Sequence, residues 1–424
     1  MLLINVVLWA VYTFILFFTL FMLIVFLEHG TIRGEVEWPD DWPTVSIIVP
    51  AYNEEDTLDM TLEALTDLNY PEDLLDIIVV NDGSTDGTRA IAEQYAEQDD
   101  ITLINQENQG KGAALNTGLE EATGEFVACV DADSRVDPDA IKNIIATFDE
   151  DTAAVASAMK VHEPENFLQR LQWVEYIVGI FLRRIMSWID SITVAPGPLS
   201  VYRREVIEDL GGFDEDSIVE DMEIVFRLQQ HQWKIGHSRL GEVYTVAPAT
   251  VKDYYRQRYR WYKGSLNNIL RYRNMFLNPD YGDFGMYTLP GTLGQGLLSI
   301  VGLFAFTYVL LEPIYTGGRT LVKQVMTLGI SSINPSLPLN HLTSYLVWTL
   351  LGQNFTSITM IAALFFASAA LAYLAVIHTE ERLFEHGYLT PFIFLTYYFL
   401  AIGLIWLKIV LELLLGQHEV ELWR

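Results

Sequence analysis

Cysteine is nearly missing from the chain. A single residue, Cys129, rules out an intramolecular disulfide and leaves no cysteine ligand set for zinc. Basic residues are scarce as well: 26 Lys and Arg stand against 55 Asp and Glu, a formal net charge of −29 over 424 residues. A surface of that sign repels nucleic acid and acidic lipid. It also repels phosphate, so a phosphorylated ligand can be held only beside a local cation or an arginine cluster. A salt-rich cytoplasm would suit such a surface, because the Debye length shrinks to about 3 Å at 1 M salt. The side chains of Leu2 to Leu27 carry no charge at all. This tract lacks the basic start and the small-residue cleavage site of a signal peptide, and about 20 apolar residues cross a bilayer, so it reads as a retained anchor.

Apolar residues, by contrast, are plentiful at 51% and unevenly placed. Three further tracts, Met286 to Leu311, Phe355 to Ile377 and Leu389 to Leu415, are each long enough to span, which with the first makes four. Arg256, Arg258, Arg260, Lys263, Arg271 and Arg273 precede the second span, and bases near span ends mark the inner side. The expected layout is an anchor at 1–28, a cytoplasmic domain at 40–280, three spans at 286–416, and both termini outside. The moderately apolar region from Gly317 to Gln353, with Trp348, is placed along the outer surface.

From Val45 the pattern turns to strands alternating with helices. Val45–Ala51, Asp76–Asp82, Ile101–Ile104 and a strand from Phe126 read as strands; Thr57–Leu68, Thr88–Gln98 and Gly112–Ala122 read as helices. Apolar strands separated by helices mean a mostly parallel, doubly wound α/β sheet, which binds ligands at the carboxyl ends of its strands. That edge collects Tyr52, Asn53 and Glu54, then Asp82-Gly83-Ser84, then Asn108 through Lys111, then Asp131 and Asp133. Each set alone is ordinary turn chemistry. Asp131 and Asp133 flank one small residue, so an extended backbone turns both carboxylates to one side, where they can share a hard cation with a diphosphate.

Between Asn166 and Ile189 apolar residues recur every three or four positions, with Gln169, Gln172, Glu175 and Arg183 opposite. Such a helix packs on the soluble core or lies in the membrane interface; Trp173, Trp188, Arg183 and Arg184 favour the interface. Pro196-Gly197-Pro198 reads as a tight turn into the basic Tyr202-Arg203-Arg204. Glu220-Asp221 opens an amphipathic helix, where an acid is commonly a cap. In Tyr254 to Lys263, helical spacing gathers Gln257, Arg260 and Trp261 on one face. Arginine offers a fork for phosphate and tryptophan a plate for a sugar ring, while a basic collar beside a span is the simpler reading.

Taken in order, Val49-Pro50-Ala51-Tyr52-Asn53-Glu54, Val80-Asn81-Asp82-Gly83-Ser84, Asn108-Gln109-Gly110-Lys111-Gly112, Asp131-Ala132-Asp133, Glu220-Asp221 and Gln257-x-x-Arg260-Trp261 resemble the membrane-embedded, processive glycosyltransferases of family 2. That group has a GT-A fold and includes hyaluronan, chitin, poly-N-acetylglucosamine and cellulose synthases. The resemblance implies that Ala51, Tyr52, Glu54, Asp82 and Lys111 contact uridine and phosphate, and that Asp131 and Asp133 hold Mg²⁺ or Mn²⁺ against the diphosphate. It makes Asp221 the general base of an inverting transfer, has Arg260 steady the diphosphate, and has Trp261, with Gln257, bind the acceptor. Val219 stands where the family usually has threonine, which removes a hydroxyl beside the base. The implied partners are a UDP-sugar, best UDP-N-acetylglucosamine, a growing polysaccharide, membrane lipid and an export partner of unknown kind, but no nucleic acid. Two alternatives stay open: transfer of one sugar to a polyprenyl phosphate, and a transporter or channel with a nucleotide-sensing domain. Transferases of the first kind usually lack Gln-x-x-Arg-Trp; the second would need intramembrane charges, of which Lys408 and Glu412 are the few.

Overall fold

A computed structural model describes residues 2–29, 38–39, 41–98, 101–328, 340, 343, 366, 369–370, 372–379 and 389–416. Strands β1 (Val45–Ala51), β2 (Leu75–Asp82), β3 (Ile101–Gln106) and β4 (Phe126–Cys129) form a parallel block, with β1 between β2 and β4. The apolar runs of β1, β2 and β4 are buried on both faces because α2 (Leu58–Thr66), α3 (Thr88–Gln98) and α4 (Lys111–Glu121) cover the sheet, while β3, at its edge, is only partly buried.

Beyond β4 the expected doubly wound pattern ends, and the eight-stranded sheet is mixed. Strand β5 (Ser134–Val136) and helix α5 (Ala140–Ile145) follow β4 in the chain, and then come β6 (Thr152–Val161), α6 (Phe167–Trp188), β7 (Ser200–Arg203), α7 (Arg204–Asp209), α8 (Glu220–Gln230) and β8 (Lys234–Thr245). Strand β7 runs antiparallel to both β4 and β6, and β5 antiparallel to β8. The reversal matters for the site: Ser200 pairs with Cys129, so the segment entering β7 arrives at the edge where β4 ends.

Helix α6 is longer in its contacts than its amphipathic pattern implied. A capping box of Asn166 and Gln169 starts it. It then lies between β6 and β8 on one side and two apolar helices on the other, α1 (Leu2–His29) and α11 (Leu389–Leu414). Phe181 meets Phe26, and Trp188 stacks on His29. The polar face is turned inward: Gln169 and Gln172 donate to the carbonyls of Ala247 and Pro248, and Arg183 to that of Ser157. Backbone acceptors satisfy these donors, although the Gln172 side-chain oxygen stays buried without a hydrogen-bond partner.

Helix α9 (Val251–Arg271) leads from the sheet to α10 (Leu289–Leu328). By length and composition two described helices suffice to cross a membrane, Trp9–His29 and Phe284–Tyr308. α10 does not stop near Leu311 as its hydropathy implied but runs for 40 residues. At 1.5 Å per residue that is about 60 Å, twice a bilayer's hydrocarbon core. The part of the outer-surface expectation from Gly317 to Leu328 is therefore helix; the rest of it, with Trp348, lies outside the described residues apart from positions 340 and 343. Most of the tract from Phe355 to Ile377 lies outside them too. The two charges near the end of α11 are paired: Glu412 accepts from Lys263 of α9 at 3.0 Å and from the Tyr259 hydroxyl, and Lys408 sits 3.7 Å from Glu412 and 4.4 Å over the Tyr259 ring.

Candidate active site

At the carboxyl edge the loops after β1 and β2 are tied to each other. Asn53, in the left-handed region at φ 56°, donates its amide to Ser84 Oγ and accepts from the Thr85 amide at 2.8 Å. Glu54 donates its amide to Thr88 Oγ1 at 2.7 Å, and its carboxylate accepts from Thr57. Burial, with the charges of Asp131 and Asp86, raises the Glu54 carboxyl against that hydrogen bond. Tyr52 flanks this loop half-buried, whereas the Ala51 side chain belongs to the core.

Asp82 works inward. Its carboxylate accepts from Gln106 Nε2 at 2.8 Å and from the amides of Gln109 and Gly110 at 2.9 Å each. These bonds shape the turn into α4, whose cap, Gly110, sits at φ 98° where a side chain would be strained. The turn delivers Lys111 to the site: its ammonium lies 2.6 Å from Asp131 and 2.9 Å from Glu220. Burial opposes that charge, but Asp131, Glu220 and Asp221 raise the Lys111 pKa well above its ordinary value.

Glu220 and Asp221 open α8. The cap position is Val219, which makes no side-chain capping bond, so Asp221 stands within the first turn and not at the cap. Val219 fills the space opposite Gly264 of α9, where a Cβ would collide with its methyls. The missing hydroxyl is thus replaced by an apolar contact that seats α8 on α9. Burial and the neighbouring Glu220 charge push the Asp221 carboxyl up to about 6, against Lys111 and Arg260. Glu220 goes the other way: burial opposes ionisation, but Lys111 and Arg260 outweigh it. Neighbouring acids with divergent pKa values are the arrangement that divides proton transfer from charge binding.

Asp133 is crowded differently. Burial first, then the charges of Asp131 and Glu54, push its carboxyl up to about 7, while Ser134 donates to it at 3.2 Å. Among the described residues no group of three or more His, Cys, Asp or Glu side chains forms a metal cage. Two carboxylates with open positions for phosphate oxygens are nevertheless the usual donor set for Mg²⁺ or Mn²⁺, and a cation would relieve the crowding. The residues therefore fit such an ion.

On α9, Gln257 and Trp261 lie one turn apart and half-buried, and Arg260 donates to the Ile218 carbonyl at 3.2 Å. Arg258, one of the bases that precede the second span, does not face outward. It is fully buried and paired with Glu175 of α6 at 2.6 Å. Sequence reasoning also passed over Gly197. A Cβ there would stand 2.7 Å from both Lys111 Nζ and Asp131 Oδ2, so the segment before β7 presses its bare backbone on the pair. The Pro-Gly-Pro turn marked the segment, and only the antiparallel β7 places it.

Residues 46–211 match the profile described as Glycosyl transferase family 2. The chain carries a family 2 glycosyltransferase domain over these residues. The chain is 30% identical over 255 residues to a poly-beta-1,6-N-acetyl-D-glucosamine synthase of Staphylococcus epidermidis, covering 59% of each chain. It is 30% identical over 237 residues to the synthase of that name in Staphylococcus aureus, covering 55% of this chain and 57% of the other. It thus spans under two thirds of the length of the curated relatives it matches. A solved mannosyltransferase from Pyrobaculum calidifontis, in complex with GDP-mannose and Mn²⁺, aligns with 86% of this chain and 96% of its own. The TM-score of 0.56 at 22% identity makes the GT-A-like fold common to both.

Proposed function

We propose that the enzyme transfers a sugar from a UDP-sugar, best UDP-N-acetylglucosamine, to the hydroxyl end of a growing polysaccharide, with inversion, and passes the product outward between its apolar helices. The observation that carries the reading is the meeting of Lys111, Asp131 and Glu220 beside Asp221, with the Gln257-x-x-Arg260-Trp261 helix seated on α8. The staphylococcal relatives, named for N-acetylglucosamine polymer synthesis, support the sugar.

In this mechanism the loops around Tyr52, Glu54 and Asp82 frame the nucleotide. Lys111 and Arg260 bring positive charge to the diphosphate in a domain that otherwise repels it. Asp131 and Asp133 would hold Mg²⁺ or Mn²⁺, whose chemistry is to stabilise the departing diphosphate. Asp221, ionised at neutral pH yet more basic than a free aspartate, takes the proton of the acceptor hydroxyl. Trp261 and Gln257 align the acceptor sugar. The domain lies in the cytoplasm, with α1 as anchor and about four spans in all. Transfer of one sugar to a polyprenyl phosphate is the second reading, and Gln257-x-x-Arg260-Trp261 argues against it.

The test offers purified protein a panel of UDP-sugars with N-acetylglucosamine oligomers, measures UDP release, and digests the product with linkage-specific glycosidases. A high-mass polymer from UDP-N-acetylglucosamine is expected. A single sugar on a lipid phosphate would establish the second reading in its place.

A further inference from the structure

We propose that Arg258, gripped by Glu175, is the positioning residue of the acceptor site, its guanidinium setting both the plane of Trp261 and the orientation of the Gln257 amide. The inference rests on the reading of Gln257 and Trp261 as acceptor-binding and adds the group that orients them.

Arg258 Nε and Nη2 donate to Glu175 Oε1 and Oε2 at 3.0 and 2.6 Å, a two-pronged pairing that lysine cannot make. Nη1 donates to Gln257 Oε1. The cation lies 4.1 Å over the Trp261 ring and 4.8 Å over Tyr254. Arginine has only donors, so the Gln257 oxygen must face it and the amide NH₂ is turned away as a free donor. One face of the indole is likewise covered, leaving the other as the plate. A buried ion pair adds little to stability, since desolvation offsets its attraction and apolar residues of similar volume do as well. What an apolar pair cannot do is hold an amide and an indole in one fixed relation. A sugar offers a ring face to the plate and hydroxyls to the amide, so that relation selects which hydroxyl reaches Asp221.

The test measures UDP release from UDP-N-acetylglucosamine with an N-acetylglucosamine pentamer as acceptor, and acceptor-free hydrolysis separately. Arg258→Lys keeps the charge opposite Glu175 but neither plane nor fork. The acceptor KM should rise about tenfold or more, as misplaced reactants imply, with donor KM and hydrolysis unchanged. The pair Glu175→Leu with Arg258→Met guards against misfolding, because it removes both charges together, and it should show the same acceptor defect. A folded double variant with wild-type acceptor KM overturns the proposal, as does an equal rise in donor and acceptor KM for Arg258→Lys. Absence of UDP release from wild-type protein with every UDP-sugar is a different result, overturning the transferase reading and this inference with it.

Discussion

Gly197→Ala adds one methyl where the segment before β7 presses on the Lys111–Asp131 pair. The new Cβ would lie 2.7 Å from Lys111 Nζ and 2.7 and 3.0 Å from the Asp131 oxygens. Optimal carbon contacts begin near 3.5 Å, so these atoms must withdraw by roughly 0.8 Å. The backbone does not resist the change, since Gly197 is not among the glycines at positive φ. The atoms in the way are side-chain ends, which move cheaply. The cost to the fold should therefore stay near 1 kcal/mol, roughly 2–4 °C in melting temperature for a domain of this size. The cost to the reaction should be much larger, because a displacement of about 1 Å at a reacting centre can lower the rate by about 10²-fold. Thermal melting, UDP binding by calorimetry and UDP release at saturating donor separate the two. A folded Gly197→Ala protein with undiminished turnover would refute the placement of this segment against the donor site, and a melting temperature lowered by tens of degrees would make the glycine a requirement of the fold.

Asp221→Asn should keep UDP-sugar binding while turnover falls by about 10²–10⁴-fold, the usual share of a general base; turnover within a few-fold of wild type removes Asp221 from the role. Because burial and Glu220 raise the Asp221 pKa from 3.8 to about 6 in the free protein, the base is ionised above that pH and protonated below it, so kcat/KM should decline with acid from near pH 6. A profile flat down to pH 5 contradicts this. Excess chelator should abolish transfer, and Asp133→Asn should raise UDP-sugar KM about tenfold or more, partly relieved by added Mn²⁺; full activity after metal removal sinks the ligand assignment. Trp261→Ala should raise acceptor KM by about tenfold, the equivalent of about 1.4 kcal/mol of stacking and contact, and leave UDP affinity alone. Equal loss of UDP binding would place the ring elsewhere.

The parallel half of the sheet was legible because β1, β2 and β4 are unbroken apolar runs that end in turn chemistry, and that chemistry is the site's own edge. The antiparallel half was not. Strands β5 and β7 are three and four residues long, too short for any periodicity to register. With β7 unread, the return of Gly197 to Asp131 was invisible. Asp82 was found as a site residue, yet its bonds to Gln109 and Gly110 show it shaping the loop, a distinction that depends on direction and not on residue type. The burial of Arg258 was illegible for a related reason. Helical spacing ranks residues by face within α9, while the partner that buries Arg258 comes from α6, 83 positions earlier in the chain.

The hold of α9 on α11 has a mechanical consequence. Tyr259 and Lys263 converge on Glu412, and one turn of α9 places Gln257 and Trp261 beside them. On the other flank Glu175 ties α9 to α6, which is packed on α1. The bench on which each new sugar is added is therefore bolted to the apolar helices at two points and cannot rock against them without breaking desolvated ion pairs. Under the proposed reading, the protein is a stator. Each cycle must advance the polymer past a fixed plate, so that the stroke is one sugar long and belongs to the product.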